Sequence, residues 1–324
     1  MLGIACNENP DDSINDISNF TETLLPIPAG FPYPPMPTNN LLSEARIALG
    51  KQLFSDPILS RDSTVSCASC HHSNHAFSDT VAFSLGVDQL IGTRNSPSLI
   101  NVAYHPHLLR EGGIATLEQQ VLVPIQEHNE FDFNIVLISE RLQADPNYVQ
   151  LSQRAYRRAP DHFVITRAIA AYERTLISGN SPYDQYFYQG DSSALSASAL
   201  NGWHLFDQVL SCSSCHSGFN FSNYAFENNG LYEIYPDSGR IRLTGLPEDR
   251  ARFKVPSLRN VAVTAPYMHD GSLASLEAVL THYQTGGKPH ENKSPLLEPF
   301  TLTIKEQEDL LNFLHSLTDF SVPY

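Results

Sequence analysis

The chain has 324 residues, 41% hydrophobic and 17% charged, which describes a folded globular protein with room for about two domains. A formal net charge of -15 argues against nucleic acid or an anionic membrane surface as the main partner, since both repel acidic surfaces. No stretch reaches the roughly 18 apolar residues of a membrane-spanning helix. Of the five cysteines, four fall in two short motifs, which leaves none for a disulfide framework.

In chain order, Met1-Leu2-Gly3-Ile4-Ala5-Cys6 looks like the end of a lipoprotein signal peptide. Cys6 is therefore a candidate lipid anchor, followed by a polar tether; the alternative is a free cysteine in a frayed terminus. Pro26 to Pro37 cannot be helical and reads as an extended arm laid over the surface. Residues 1–40 are thus tether and arm.

A helix carrying Ala48-Leu49 and Leu53-Phe54 precedes Cys67-Ala68-Ser69-Cys70-His71. In Cys-x-x-Cys-His the two thiols add to the vinyl groups of haem and the adjacent histidine supplies a nitrogen to iron. A zinc site or a thiol redox pair would be open to a single copy. The second copy, Cys212-Ser213-Ser214-Cys215-His216, weighs against both, because each copy has its histidine and no ligand cysteine is spare. Two covalently bound haem c groups follow. Such attachment takes place outside the cytoplasm, so the chain belongs in the periplasm or beyond.

The motifs sit inside an imperfect duplication. Pro97-Ser98-Leu99 with Asn101-Val102-Ala103 returns as Pro256-Ser257-Leu258 with Asn260-Val261-Ala262, and Glu111–Glu118 returns as Asp270–Glu277, both at an offset of 159 residues. Each unit reads as helix, motif, long loop and second helix, with Thr116 and Ser275 as N-caps. Asp161 caps a helix whose apolar positions are Ile165, Ile169, Tyr172 and Leu176, and Thr303 with Glu306 opens a last helix burying Leu310, Leu311, Leu314 and Leu317. The expected fold is mainly α: two cytochrome c-like haem domains, 41–190 and 191–324, related by internal duplication.

Haem chemistry turns on the sixth iron position. Under the 159-residue offset, Tyr283 corresponds to Pro124, so the second iron can gain a phenolate ligand where the first has none. His282, about 100° around the helix, and Met268 compete for that place, and a core tyrosine remains the plain alternative. Gln120 and Glu130 could handle peroxide protons by acid–base chemistry, although acidic loop residues are commonly just solvated.

FKVPSLRNVAVTAPYMHDGSLASLE at 253–277, RNSPSLINVA at 94–103 and both haem motifs resemble the bacterial di-haem cytochrome c peroxidase superfamily, which includes MauG, over about residues 41 to 318. The resemblance implies a haem-dependent oxidoreductase. Hydrogen peroxide would react at the N-terminal haem beside Gln120, Pro124 and Glu130. Electrons would arrive through the C-terminal haem from a donor protein or a protein substrate. A ligand fourteen residues after His269 falls on Tyr283, as in MauG-like members, where conventional peroxidases have methionine. A calcium ion between the haems would take Asn95, Thr264 and Pro266. Three features depart from the pattern or refine it. Residues 76–104 hold no distal histidine; Arg110 stands where a tryptophan is usual, the only tryptophan being Trp203; and the opening segment looks like MbnH-type members, which modify a tryptophan on a partner. A conventional peroxide-detoxifying peroxidase, a non-catalytic di-haem electron carrier and a haem sensor are the other readings.

Overall fold

The computed structural model describes residues 24–322; Cys6 and its polar tether lie outside them. Helix α1 (Glu44–Ser55) starts where Ser43 Oγ accepts from Arg46 N, and buries Leu49, Gly50, Leu53 and Phe54. After the first Cys-x-x-Cys-His turn come α2 (Leu117–Gln120) and α3 (Leu122–Gln126), then α4 (Ile135–Gln143), α5 (Pro146–Tyr156) and α6 (His162–Glu173). The short α7 (Pro182–Phe187) leads to α8 (Ala197–His204), which runs into a π-helical turn, Leu205–Val209, ahead of the second motif. Strands β1 (Phe226–Glu227) and β2 (Phe253–Lys254) form one antiparallel pair, with α9 (Ile241–Thr244) between them. Helices α10 (Leu276–Gln284) and α11 (Ile304–His315) complete the described chain.

The fold is mainly helical, and the duplication is visible in its packing. Helix α1 crosses α6, and α8 crosses α11 in the same way. A glycine sits at each crossing: a Cβ on Gly50 would stand 1.9 Å from Ala168 O, and one on Gly202 would stand 1.9 Å from Asp309 O. Only glycine lets the backbones approach this closely. Each crossing closes a separate apolar core. The first gathers Leu49, Phe54, Phe77, Ile125, Ile165 and Ile169; the second gathers Phe206, Phe221, Leu280, Leu310, Phe313 and Leu317. Each such side chain, fully buried, contributes roughly 1.5–3 kcal/mol.

The caps read from sequence are in place. Thr116, Asp161 and Ser275 each accept from the backbone N–H three residues on, and Thr303 with Glu306 forms a reciprocal capping box. The proline-rich arm is extended and lies on the body, with Tyr104 Oη donating to Pro32 O at 3.0 Å. Where the two units meet, Ser178 N donates to Asn101 Oδ1 (2.9 Å) and its hydroxyl to Asn260 Oδ1 (2.7 Å). These asparagines are duplicates of one another, both at positive φ (58° and 57°). Among the described residues no helix is long and apolar enough to cross a membrane.

Candidate functional site

Each motif turn is tied to a carbonyl that follows it. His71 Nδ1 lies 2.9 Å from Phe77 O and His216 Nδ1 lies 3.2 Å from Phe221 O. A carbonyl only accepts, so each Nδ1 carries the proton and each Nε2 keeps its lone pair. Phe77 and Phe221 reach these positions at positive φ, 56° and 49°. Burial pulls both imidazoles below the usual histidine range, which keeps them neutral. Burial likewise pushes the thiols of Cys70 and Cys212 up to about 11. Such thiols are poor redox nucleophiles. Among the described residues no group of three or more His, Cys, Asp and Glu side chains could hold a metal ion, so neither motif has the ligand set of a zinc site.

One cavity of about 1100 Å³ connects the two turns. Cys67, Cys70 and His71 open onto one part of it, and Cys212, Cys215 and His216 onto the other. His105 Nε2, His269 Nε2, Ser294 Oγ and Glu173 Oε2 are buried without hydrogen-bond partners, and all four residues line the same space. Orphaned donors around a largely apolar cavity are what a bound group with its own carboxylates would satisfy, and burial raises the Glu173 carboxyl to about 8, so that it too has a proton to give. The residues therefore fit two haem groups.

On the first side, Pro124 splits what would be one helix. It has no N–H for Gln120 O and its ring crowds that carbonyl, so α2 ends at Gln120 and α3 begins at Leu122. Phe131 N then donates to Pro124 O (3.1 Å) and Phe133 N to Ile125 O (2.8 Å), folding the following loop back over α3. Gly86 clamps that loop from the far side, since a Cβ there would meet Asn129 O at 2.1 Å. The result brings Gln120, Pro124 and Glu130 onto one wall of the cavity. Glu130 opens into the cavity; enclosure by protein, and then the charge of Glu127, raise its carboxyl to about 7.

On the second side α10 runs unbroken, because Tyr283 stands at the place of Pro124. Tyr283 lines the cavity beside Cys212 and Cys215, and burial pushes its phenol up to about 12. The two competing residues are engaged elsewhere. His282 Nε2 donates to Asn229 O (2.9 Å), and Met268 Sδ accepts from Asn229 Nδ2 (3.1 Å).

The family model described as di-haem cytochrome c peroxidase matches residues 44–193. The methylamine utilization protein MauG of Methylorubrum extorquens is 37% identical over 287 residues, 87% of this chain and 81% of that protein. This chain belongs to the di-haem cytochrome c peroxidase/MauG family. Cytochrome c551 peroxidase of Pseudomonas aeruginosa is 34% identical over 86% of this chain and 80% of its own length. Among solved structures, a MauG-like protein associated with microbial copper homeostasis superposes with a TM-score of 0.86 at 34% identity, covering 91% of this chain and 95% of that one. The diheme peroxidase BthA of Burkholderia thailandensis shares the fold at 22% identity and a TM-score of 0.73, over 92% of this chain and 93% of its own. Membership makes the chain a haem-dependent oxidoreductase with two haem c groups.

Between the two halves of the cavity, this family member carries a cationic cluster whose partners the sequence does not disclose. Arg110, at the position where the resemblance gives a tryptophan as usual, lines the cavity, while Trp203 packs on Phe187 (4.9 Å between centroids) and does not line it. Lys254, on β2, donates to His107 O (2.7 Å) and lies 3.0 Å from His105 Nδ1; burial, and then Arg110, pull it down to about 7. Lys254 falls within the 253–277 stretch that carries the resemblance, but no sequence signal assigned it a role.

The expected calcium donors line this region too, but the only side chain among them is taken. Arg110 Nη2 donates to Asn95 Oδ1 at 2.8 Å, and Asn95 Nδ2 donates to Val81 O at 3.1 Å. An amide flip would spoil both bonds. A calcium ion on Asn95 Oδ1 would sit about 5 Å from the guanidinium, a repulsion of roughly 7 kcal/mol at an effective dielectric of about 20. Thr264 and Pro266 would add main-chain carbonyls, the Thr264 hydroxyl being donated to Val261 O (3.1 Å). The residues do not fit calcium.

Proposed function

We propose that this enzyme reduces hydrogen peroxide on the Gln120–Pro124–Glu130 side of the cavity and draws electrons in on the Tyr283 side, from a donor protein or from a side chain of a protein substrate. One observation carries the proposal: two duplicated units present proline and tyrosine at the same position, and both residues open onto one cavity. The bound haems supply the redox chemistry, peroxide reduction at one iron and electron relay at the other.

The chain's own residues divide the remaining work. Cys67, Cys70, Cys212 and Cys215 anchor the two groups, and His71 and His216 present neutral Nε2 atoms held in orientation by Phe77 O and Phe221 O. Pro124 offers no donor and leaves room for peroxide. Glu130, near half-ionised at neutral pH, takes the peroxide proton and returns it to the departing oxygen, while the Gln120 amide orients the substrate. Tyr283 would hold the second haem iron through an anionic oxygen, the iron's charge offsetting the cost of ionising a phenol raised to about 12. Residues 41–190 form the peroxide-reacting domain and 191–324 the relay domain, with 1–40 as tether and arm; the separate cores support this division. Thioether attachment puts the enzyme in the periplasm, and a lipid on Cys6 would tether it to the membrane. Calcium has no part in this reading.

The resemblance to MauG-like members implies oxidation of a partner's side chain, and the relatives named cytochrome c peroxidases favour peroxide removal with a donor protein. Tyr283 tips the choice toward the first. Stopped-flow mixing of the ferric holoprotein with peroxide tests the division of labour. Tyr283→Phe should leave the first haem's spectrum and its reaction with peroxide unchanged and alter the second haem's spectrum. An unaltered second haem would remove Tyr283 from the iron and return the protein to the conventional reading.

A further inference from the structure

The calcium misfit has a specific cause, and the cause is a residue able to do the ion's work. Arg110 Nε and Nη2 both donate to Asn95 O (3.2 and 2.9 Å), and Nη2 also donates to Asn95 Oδ1 (2.8 Å). The guanidinium thus converges on two oxygens of Asn95, the backbone carbonyl and the amide Oδ1 in which a hard cation would find its only side-chain ligand. Asn95 is itself pinned between the units, with its N–H donating to His269 O (2.9 Å) and its Nδ2 to Val81 O (3.1 Å). Arg110 O in turn accepts from Lys254 N (2.7 Å) on β2. The guanidinium thus braces the loop before α2 on itself, Arg110 to Asn95, and main-chain bonds of these same two residues carry that loop to the turn before α10 and to β2.

Among the described residues no carboxylate contacts that guanidinium, and only the charge of Asp270, out of ion-pair range, acts in its favour. Arg110 appears in no ion pair among the described residues, whereas its neighbour Arg94 takes both Glu111 and Asp237. Enclosure and the charge of Arg94 draw the guanidinium down to about 10, so it is still fully protonated at neutral pH.

We propose that Arg110 is a built-in replacement for the inter-haem calcium ion: its guanidinium occupies the cation's place on Asn95, braces the loop whose main chain bonds the second haem unit, and keeps the metal out. The consequence is an enzyme indifferent to calcium, with the cation supplied by the chain and never lost to chelation or dilution.

The holoprotein tests this without any variant. After gel filtration it should contain no stoichiometric calcium by elemental analysis, and excess EGTA should leave its ferric spectrum unchanged. One equivalent of retained calcium, with a spectral shift on chelation, would overturn the proposal. Calorimetric titration with calcium chloride extends the test to Arg110→Ala, which should bind one equivalent where the native holoprotein gives no signal. An alanine variant blind to calcium would mean the guanidinium is not what excludes the ion, and the proposal would fall. If that variant does not load haem, Arg110→Gln, which keeps most of the side chain and loses the charge, takes its place with the same two outcomes.

Discussion

At the scale of single residues, the chemistry rests on environments more than on identities. Glu130 is an ordinary loop glutamate in sequence, yet the return of its loop over α3 raises its carboxyl to about 7. A base with that value gains its carboxylate as pH rises, so the peroxide reaction should slow as pH falls through about 7. Glu130→Gln should slow it roughly 10²-fold and abolish the pH step, which rapid mixing across pH 5.5 to about 8.5 would read out. An unchanged rate would make Glu130 a solvated loop residue. The haem motifs were legible because their spacing alone specifies the chemistry. That Tyr283 faces the cavity was legible because the duplication supplied an internal comparison, and helical geometry separated it from His282. Arg110 was legible only as a departure from the expected tryptophan, because its bond to Asn95 joins residues 15 apart through tertiary folding. The burial of Lys254 and the orphaned nitrogen of His105 could not be read from the sequence, since burial of a charge or a lone ring is decided by what packs around it.

At the scale of elements, capping chemistry identified helix starts well and periodicity identified their buried faces. Asp161 and Thr303 begin α6 and α11 as expected, and Ile165, Ile169, Leu310 and Leu314 are buried. Leu176 and Leu317 are buried too, but beyond the last helical turn, where the chain leaves each helix to meet the other unit. Helices α4 and α5 were not anticipated, although Asn134 and Asp145 cap them and Pro146 stands in the first turn of α5. They have no counterpart in the second unit, so the repeat drew no attention to them. Neither did the sequence mark Gly50 and Gly202 as crossing points, because a helical glycine reads simply as a weak spot. Gly202→Ala would press a methyl group onto Asp309 O and force α8 away from α11. The holoprotein's thermal midpoint should fall by the equivalent of about 1–3 kcal/mol. An unchanged midpoint would show that the crossing has slack.

For the whole molecule, duplication with asymmetry is the organising fact. Two similar helix crossings, two motif turns locked by two carbonyls, and two asparagines meeting at Ser178 make one half a copy of the other. The proposed function draws on where the copies differ: Pro124 against Tyr283, facing one continuous cavity. A carrier of electrons would be served by two alike, fully ligated irons; a peroxide-reacting enzyme needs one accessible and one capped. The EPR spectrum of the ferric holoprotein at rest reads this difference directly. The account predicts one high-spin signal from the haem at Cys67, Cys70 and His71 and one low-spin signal from the haem capped by Tyr283. Two low-spin signals would mean that a side chain closes the first iron, and would contradict it.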